Sequence, residues 1–172
     1  MKKILVVIAL AALVAAAALI GQGFTYVGAK KCAMCHRSEA QGRQYVIWQG
    51  TKHATSADAL TSAKAADAAK SMGVDKPAED PRCLKCHVPL AEKAPAIKAE
   101  GVTCEVCHGP GSGYQKLNIM RDKAAAVQNG LVLYGSPDAI KAQCLTCHED
   151  AHGIKFDFAT YWDKIKHPVP AK

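Results

Sequence analysis

The sequence predicts an all-α, loop-rich domain with little or no β-sheet. Short segments with helical spacing and helix caps are separated by glycine and proline, and no run alternates between apolar and polar residues over the length of a strand. A third observation is that the pattern C-x-x-C-H occurs four times and uses all eight cysteines. A chain of 172 residues buries only a modest protein core by itself, so whatever these motifs bind must contribute to the core.

The N-terminal segment has the composition of a secretory signal. Met1-Lys2-Lys3 is followed by an uninterrupted apolar run from Ile4 to Ile20, which matches a positive n-region and an apolar h-region. We therefore predict a signal peptide over residues 1–23, one domain over residues 24–172, and a mature protein in the periplasm or on the extracellular surface. The alternative is an uncleaved N-terminal anchor, because the apolar run is at the short limit for spanning a bilayer.

Two helices are predicted in the first half of the chain. Ser38–Gln41 has the pattern of a capping box and opens a helix that carries Trp48. The alanine-rich segment from Ser56 to Met72 predicts a second helix, which ends at Gly73 as a C-terminal cap.

The second half contains a connector and two further helices. Asp75–Arg82 is charged and contains proline, and the prolines that follow leave no room for a long helix before Gly101. Ser136 followed by proline and aspartate predicts the start of the helix that carries Cys144–His148. The final predicted helix, Phe158–Lys166, places its aromatic residues on one face and stops at the prolines that follow.

The four C-x-x-C-H motifs are typical of c-type haem attachment, in which both thiols bond the porphyrin and the histidine ligates the iron. They lie at Cys32–His36 (site 1), Cys83–His87 (site 2), Cys104–His108 (site 3) and Cys144–His148 (site 4). We therefore predict a multihaem cytochrome whose core is formed by four covalently bound haems. The predicted attachment residues are Cys32, Cys35, Cys83, Cys86, Cys104, Cys107, Cys144 and Cys147, and the predicted proximal iron ligands are His36, His87, His108 and His148.

Zinc sites and structural disulfides are the competing interpretations, because paired C-x-x-C units also form tetrahedral thiolate sites. Histidine accounts for 7 of 172 residues, so a histidine directly after all four pairs would arise by chance about 3 times in a million. Zinc ribbons do not require a histidine at that position. The sequence therefore favours haem, and an absorption spectrum without a Soret band would exclude it.

The formal net charge of +7 does not by itself indicate a nucleic-acid partner. Cleavage of the signal removes two lysines, and each ferric haem with its two propionates contributes a charge of about −1. The holoprotein is therefore close to neutral, and we predict no nucleic-acid partner.

Three histidines outside the motifs are the candidates for the opposite, distal faces of the irons: His53, His152 and His167. Since three imidazoles cannot serve four irons, one iron is five-coordinate, is capped by methionine, or receives a ligand from a neighbouring molecule. Met120 is the methionine candidate, and such a ligand would raise the potential of its haem.

The residues resemble a known family of small exported tetrahaem cytochromes. His53-Ala54, the string Gly101–Gly111 (GVTCEVCHGPG) and the order of the four sites are similar to the cytochrome c554 family. The resemblance covers roughly residues 31–168, and the ending Phe156–Pro168 is similar to a related branch of small tetrahaem cytochromes. It implies a periplasmic electron carrier that exchanges electrons with other redox proteins.

The resemblance also implies a partner for two of the distal histidines. It pairs His53 with His108 across the haem of site 3. It pairs His167 with His148 across the haem of site 4.

For the two remaining haems the resemblance implies one pairing and one gap. In the related branch His152 caps the haem of site 2, opposite His87. The haem of site 1, at His36, is expected to take a histidine shortly after the Gly-Pro-Gly string, where this sequence has Tyr114.

The predicted function is electron transfer without substrate turnover, between a quinol-oxidising membrane cytochrome or a periplasmic oxidoreductase and a further redox protein. One alternative is a small reductase of nitrogen oxides or hydroxylamine at a haem with an open sixth position, which carbon monoxide binding would reveal. Another is a homo-oligomer, a subunit of an extracellular cytochrome filament, which light scattering would reveal. Contact with a membrane is expected only if the N-terminal segment is uncleaved.

Overall fold

The computed structural model describes residues 23–149 and 151–169, and within them the secondary structure is helical, with no β-strand. This agrees with the predicted all-α class. The α-helices are α1 (Ala29–His36), α2 (Gln44–Gln49), α3 (Ser56–Ala59), α4 (Ala63–Ser71), α5 (Pro81–His87), α6 (Cys104–His108), α7 (Leu117–Met120), α8 (Lys123–Gln128), α9 (Pro137–His148) and α10 (Phe158–Ile165). Short 3-10 segments cover Glu39–Gln41, Pro95–Glu100 and Ala151–Gly153.

The predicted signal peptide over residues 1–23 lies outside the described residues except for Gly23, so it stays a prediction. None of the helices in the described part of the chain has the length and apolar composition that a membrane crossing requires.

The helix predicted to open at Ser38 begins later than expected. Glu39–Gln41 forms only a 3-10 turn, because Gly42 (φ +88°) and Arg43 (φ +54°) both adopt left-handed conformations. Helix α2 starts after this break, and the Ser38 hydroxyl bonds the Cys35 carbonyl rather than a helix N–H. The capping-box prediction was therefore wrong, although α2 does carry Trp48.

The alanine-rich helix predicted over 56–72 is divided into α3 and α4. The chain turns inward at Leu60, which is buried, and Ser62 starts a new helix by accepting a hydrogen bond from the Ala65 N–H at 3.1 Å. The expected stop at Gly73 is confirmed: this glycine has φ +62°, and the N–H of the next residue bonds back to the Ala69 carbonyl at 2.8 Å.

Two helices that carry cysteine motifs begin at side-chain caps. The Asp80 carboxylate accepts from the Arg82 N–H at 2.8 Å, so α5 takes the last two residues of the predicted connector. The Ser136 hydroxyl accepts from the Ala139 N–H at 3.2 Å, which confirms the predicted start of α9. Helix α10 ends one residue before its predicted end.

The polypeptide itself supplies little apolar core. Tyr45 packs with Ala29 and Ala33, and Trp48 lies against this cluster. Among the described residues, the largest fully buried side chain is that of Glu105, a charged residue, and few large apolar side chains are buried. A core of four haems stays a prediction.

Candidate haem-binding sites

Each C-x-x-C-H motif lies at the C-terminal end of a helix. Helices α1, α5, α6 and α9 all end at the motif histidine. Because residues three and four apart share one face of a helix, the two thiols and the imidazole of a motif project to the same side. Covalent haem attachment needs two thiols and one iron ligand close together. The two cysteines and the histidine of each motif therefore fit a covalently bound haem.

Three motif histidines share one feature, an oxygen atom beside Nδ1. The distances are 3.2 Å from His36 Nδ1 to Gln44 Oε1, 3.1 Å from His87 Nδ1 to the Ser56 carbonyl oxygen, and 3.2 Å from His108 Nδ1 to the Val132 carbonyl oxygen. When Nδ1–H donates to the oxygen, Nε2 carries a lone pair and is the atom available to a metal. These contacts therefore select the tautomer that an iron ligand requires.

Six of the seven histidines form three ring pairs, each of which joins a motif histidine to a histidine outside the motifs. The ring centroids are 6.1 Å apart in His53–His148, 6.1 Å in His87–His152 and 5.9 Å in His108–His167. Two imidazoles on one metal ion, each about 2 Å from metal to nitrogen and about 1 Å from nitrogen to ring centre, have centroids about 6 Å apart. The spacing of all three pairs fits one iron between two imidazoles.

The electrostatics of the pairs His53–His148 and His108–His167 favour neutral imidazole, which is the form that binds a metal. Burial lowers the pKa of His53, and the neighbouring His148 lowers it further. Burial likewise lowers the pKa of His167, with a further contribution from His108. The pKa values of His108 and His148 are also lowered by burial.

The structure exchanges the ring partners in two of the pairings that the resemblance implies. The structure places His53 opposite His148 rather than His108, and His167 opposite His108 rather than His148. The path of the C-terminal tail explains the exchange. The Pro168 carbonyl accepts a hydrogen bond from Gln44 Nε2 at 3.0 Å, which brings the tail beside site 1 and its neighbour, site 3.

The pairing implied for site 2 agrees with the structure, which brings the rings of His152 and His87 together. His152 reaches this position with a left-handed backbone, at φ +59°. Ligation of iron by this pair stays a prediction.

His36 is the histidine left over from the three pairs. Tyr114, at the position where a histidine was expected, is buried, and its hydroxyl donates to the Gly109 carbonyl at 2.9 Å. Burial is the main cause of the raised pKa of Tyr114, so this side chain is a neutral, hydrogen-bonded phenol. Met120 is half-buried at the end of α7, and its role as a ligand stays a prediction.

Close thiols link the sites in a definite order. Helix α1 contacts α6, and at this junction Cys104 lowers the pKa of the Cys32 thiol while Cys32 raises that of Cys104. Helix α5 contacts α9, where the Cys147 thiol donates to the Lys85 carbonyl at 3.9 Å. The pKa of Cys107 is raised by burial and also by Cys144 and Cys147 of site 4. Site 1 therefore adjoins site 3, site 3 adjoins site 4, and site 4 adjoins site 2.

Three supporting residues were missed by sequence reasoning. The Phe156 ring stacks on His148, with centroids 4.7 Å apart and planes inclined by 13°. Gln44 orients His36, and Glu105 is buried inside the motif of site 3. The only signal for Phe156 was its place shortly after a motif; nothing in the residue pattern marked the other two.

Comparison with known proteins gives two related matches. Residues 31–109 match the family described as "Cytochrome c554 and c-prime", a stretch that includes sites 1, 2 and 3. The chain is also similar to the protein named cytochrome c-554 of Nitrosomonas europaea, with 28% identity over 145 residues. That alignment covers 74% of this chain and 59% of the relative's length. No solved structure matches the chain.

Proposed function

We propose that the chain is a member of the cytochrome c554 family, to which it is similar, and that it is an exported tetrahaem c-type cytochrome that carries electrons between redox partners. The observation that carries the proposal is the set of three histidine ring pairs about 6 Å apart. Two imidazoles per iron leave no position for a substrate, so iron ligated in this way is suited to electron transfer.

Each of the four sites would hold one haem through its two cysteines and its motif histidine. When bound, each haem supplies a one-electron iron couple whose potential depends on the axial ligands, burial and nearby hydrogen bonds. The chain's own residues orient the motif imidazoles through Nδ1 and supply the opposing rings of His53, His152 and His167.

The order of the sites supports transport of electrons along the molecule. Contacts between the motif helices join site 1 to site 3 and site 4 to site 2, and Cys107 of site 3 lies close to the cysteines of site 4, so the haems of sites 1, 3, 4 and 2 would form a row. Sites 1 and 2 are the two ends of this row, and one end would receive electrons while the other delivers them.

Location and partners follow from the same proposal. An exported tetrahaem carrier would act in the periplasm or at the extracellular surface, with residues 1–23 as its signal peptide. Its partners would be a quinol-oxidising membrane cytochrome or a periplasmic oxidoreductase, and a second redox protein that accepts the electrons.

The test is to express the full chain in a host that matures c-type cytochromes and to count haems by the pyridine haemochrome assay. We expect four haems per chain, and full reduction and reoxidation by small redox proteins in stopped-flow experiments. The double variant Cys144→Ala, Cys147→Ala is the matched control and should carry three haems. A purified chain without a Soret band, or with haem that redox proteins cannot reduce, would contradict the proposal.

A second candidate function rests on His36, the one histidine whose ring is not paired with that of another histidine. Because the three pairs use six histidines, the iron at His36 would lack a second imidazole from this chain and could bind a small ligand such as nitric oxide, hydroxylamine or nitrite. Carbon monoxide binding to one haem in four of the reduced protein would support this candidate. A protein in which all four irons are low-spin would contradict it.

The filament alternative is less well supported by the geometry. A filament that shares iron ligands between subunits needs a histidine to donate, and all three distal candidates already face motif histidines of their own chain. Light scattering of the purified holoprotein would detect a filament formed in another way.

A further inference from the structure

Glu105 is a charged residue in a position where charge is costly. It occupies the first of the two variable positions in the motif of site 3, and its side chain is only 2% exposed. Burial of a carboxylate requires compensating hydrogen bonds, because the desolvation of an unpaired charge is large. Haem attachment does not use this side chain, so its burial needs another explanation.

All the hydrogen bonds that Glu105 makes are with backbone N–H donors. Val27 N–H lies 3.0 Å from each carboxylate oxygen, Gly28 N–H lies 2.8 Å from Oε2, and Gly111 N–H lies 2.6 Å from Oε1. Among the described residues Glu105 takes part in no ion pair. Both oxygens of a carboxylate accept hydrogen bonds, so this side chain matches an environment made of donors.

These bonds join the two segments that carry sites 1 and 3. Val27 and Gly28 lead directly into α1, and Gly111 follows α6 in the Gly-Pro-Gly string. The fit is close: a Cβ added at Gly111 would lie 3.0 Å from Glu105 Oε1 and 2.8 Å from Val27 Cγ2. The buried carboxylate also faces the positive end of α1, which is favourable for an anion.

Glu100 supports the same junction. Its Oε2 accepts a hydrogen bond from the Ala29 N–H at 2.8 Å and another from the Thr103 hydroxyl at 2.8 Å. Two carboxylates therefore satisfy the N–H groups at the start of α1, where no side chain of the helix's own cap does so.

The negative charge reaches the haem attachment points. At Cys32 the neighbouring Cys104 lowers the pKa of the thiol, while burial and the charges of Glu105 and Glu100 act in the opposite direction. A buried anion is weakly screened and stabilises a ferric iron, which carries one more positive charge, relative to a ferrous iron.

We propose that Glu105 is a positioning residue for two haems: as a buried anion it holds site 1 against site 3 and lowers the reduction potentials of the haems attached there. This inference rests on the proposed function, since it needs haem at both sites. Glu105, which is not an iron ligand, would then set the driving force for electron transfer at the end of the row formed by sites 1 and 3.

The experiment compares Glu105→Gln with the parent holoprotein. Haem content is measured first, and the four midpoint potentials are then resolved by a redox titration followed by low-temperature electron paramagnetic resonance. We expect four haems, a rise in two of the four potentials, and no change in the other two. The control is Glu39→Gln, which removes a carboxylate close to site 1 whose side chain is 88% exposed, and it should leave all four potentials unchanged.

The outcomes separate the inference from the function it rests on. A parent protein without haem would overturn the proposed function. Four haems in Glu105→Gln with no potential changed, or with all four raised equally, would overturn the role of Glu105 alone. If Glu105→Gln does not mature, Glu100→Gln must raise the same two potentials by a smaller amount, and the absence of such a rise would overturn the inference.

Discussion

Replacement of His53 by alanine tests the ligand pairing directly. The structure places this ring 6.1 Å from His148, so the variant should lose the distal ligand of site 4 and of no other site. One iron in four should change from low-spin to high-spin, and the reduced protein should bind one more carbon monoxide per chain than the parent. His167→Ala should give the same increment, but at site 3.

His53→Ala and His167→Ala should each remove a different low-spin signal. A substitution at Phe156 identifies which of the signals belongs to site 4. Because Phe156 stacks on His148 at 4.7 Å, Phe156→Leu should shift the electron paramagnetic resonance signal of site 4 and leave the other low-spin signals in place. The signal identified in this way should be absent from His53→Ala and present in His167→Ala.

If the site 4 signal survives in His53→Ala and vanishes in His167→Ala, the pairing read from the structure is wrong and the one implied by the family resemblance is right. If neither variant gains a high-spin iron, the two side chains are not iron ligands. His152→Ala serves as the comparison, with an increment of one high-spin iron at site 2.

Three further predictions concern ring geometry, orientation and stability. The two imidazole planes of the site 2 pair are inclined by 69°, against 40° and 45° in the other two pairs. The g-anisotropy of a low-spin bis-imidazole iron grows with this angle. Site 2 should therefore give the most anisotropic of the three low-spin electron paramagnetic resonance signals. Gln44→Leu removes the hydrogen bond that orients the site 1 histidine and makes it a weaker donor. A redox titration should therefore show a higher potential for the haem of site 1 and unchanged potentials for the haems of sites 2 and 4, with the exposed Gln49→Leu as the control. Ser136→Ala removes the cap of α9 and should lower the free energy of unfolding by about 1 kcal/mol in denaturant titrations, whereas Ser38→Ala, at a residue whose side chain caps no helix, should change it by less than about 0.5 kcal/mol.

The sequence was most informative where the determining interactions are local. Ser136 and Gly73 lie at the helix ends predicted for them, because a cap or a left-handed glycine depends on neighbours within a few residues. The capping-box prediction at Ser38 was wrong for a local reason too. Gly42 adopts the left-handed conformation and ends the helical segment after one turn.

The sequence identified the residues of the candidate sites but not which distal histidine lies opposite which motif histidine. The motifs and distal histidines could be identified from residue type and spacing, whereas the partner of each distal ring depends on the path of the chain. His167 is brought to His108 by a contact of the tail with Gln44, and no spacing rule contains that contact. Glu105 was missed because a glutamate between two cysteines is indistinguishable in sequence from a solvated surface charge.

The crossed pairs also explain how a chain with so small a core could hold one structure. An iron between His53 and His148 would close a loop of 148 − 53 = 95 residues, and one between His108 and His167 would close a loop of 167 − 108 = 59 residues. By analogy with disulfides, a cross-link that closes loops of this length removes on the order of 4 kcal/mol of conformational entropy from the unfolded chain. Two such links are comparable with the whole stability of a small domain, which is about 5–15 kcal/mol. Ligation of the irons and folding of the polypeptide would then be one process, in which the distal histidines serve stability as much as electron transfer.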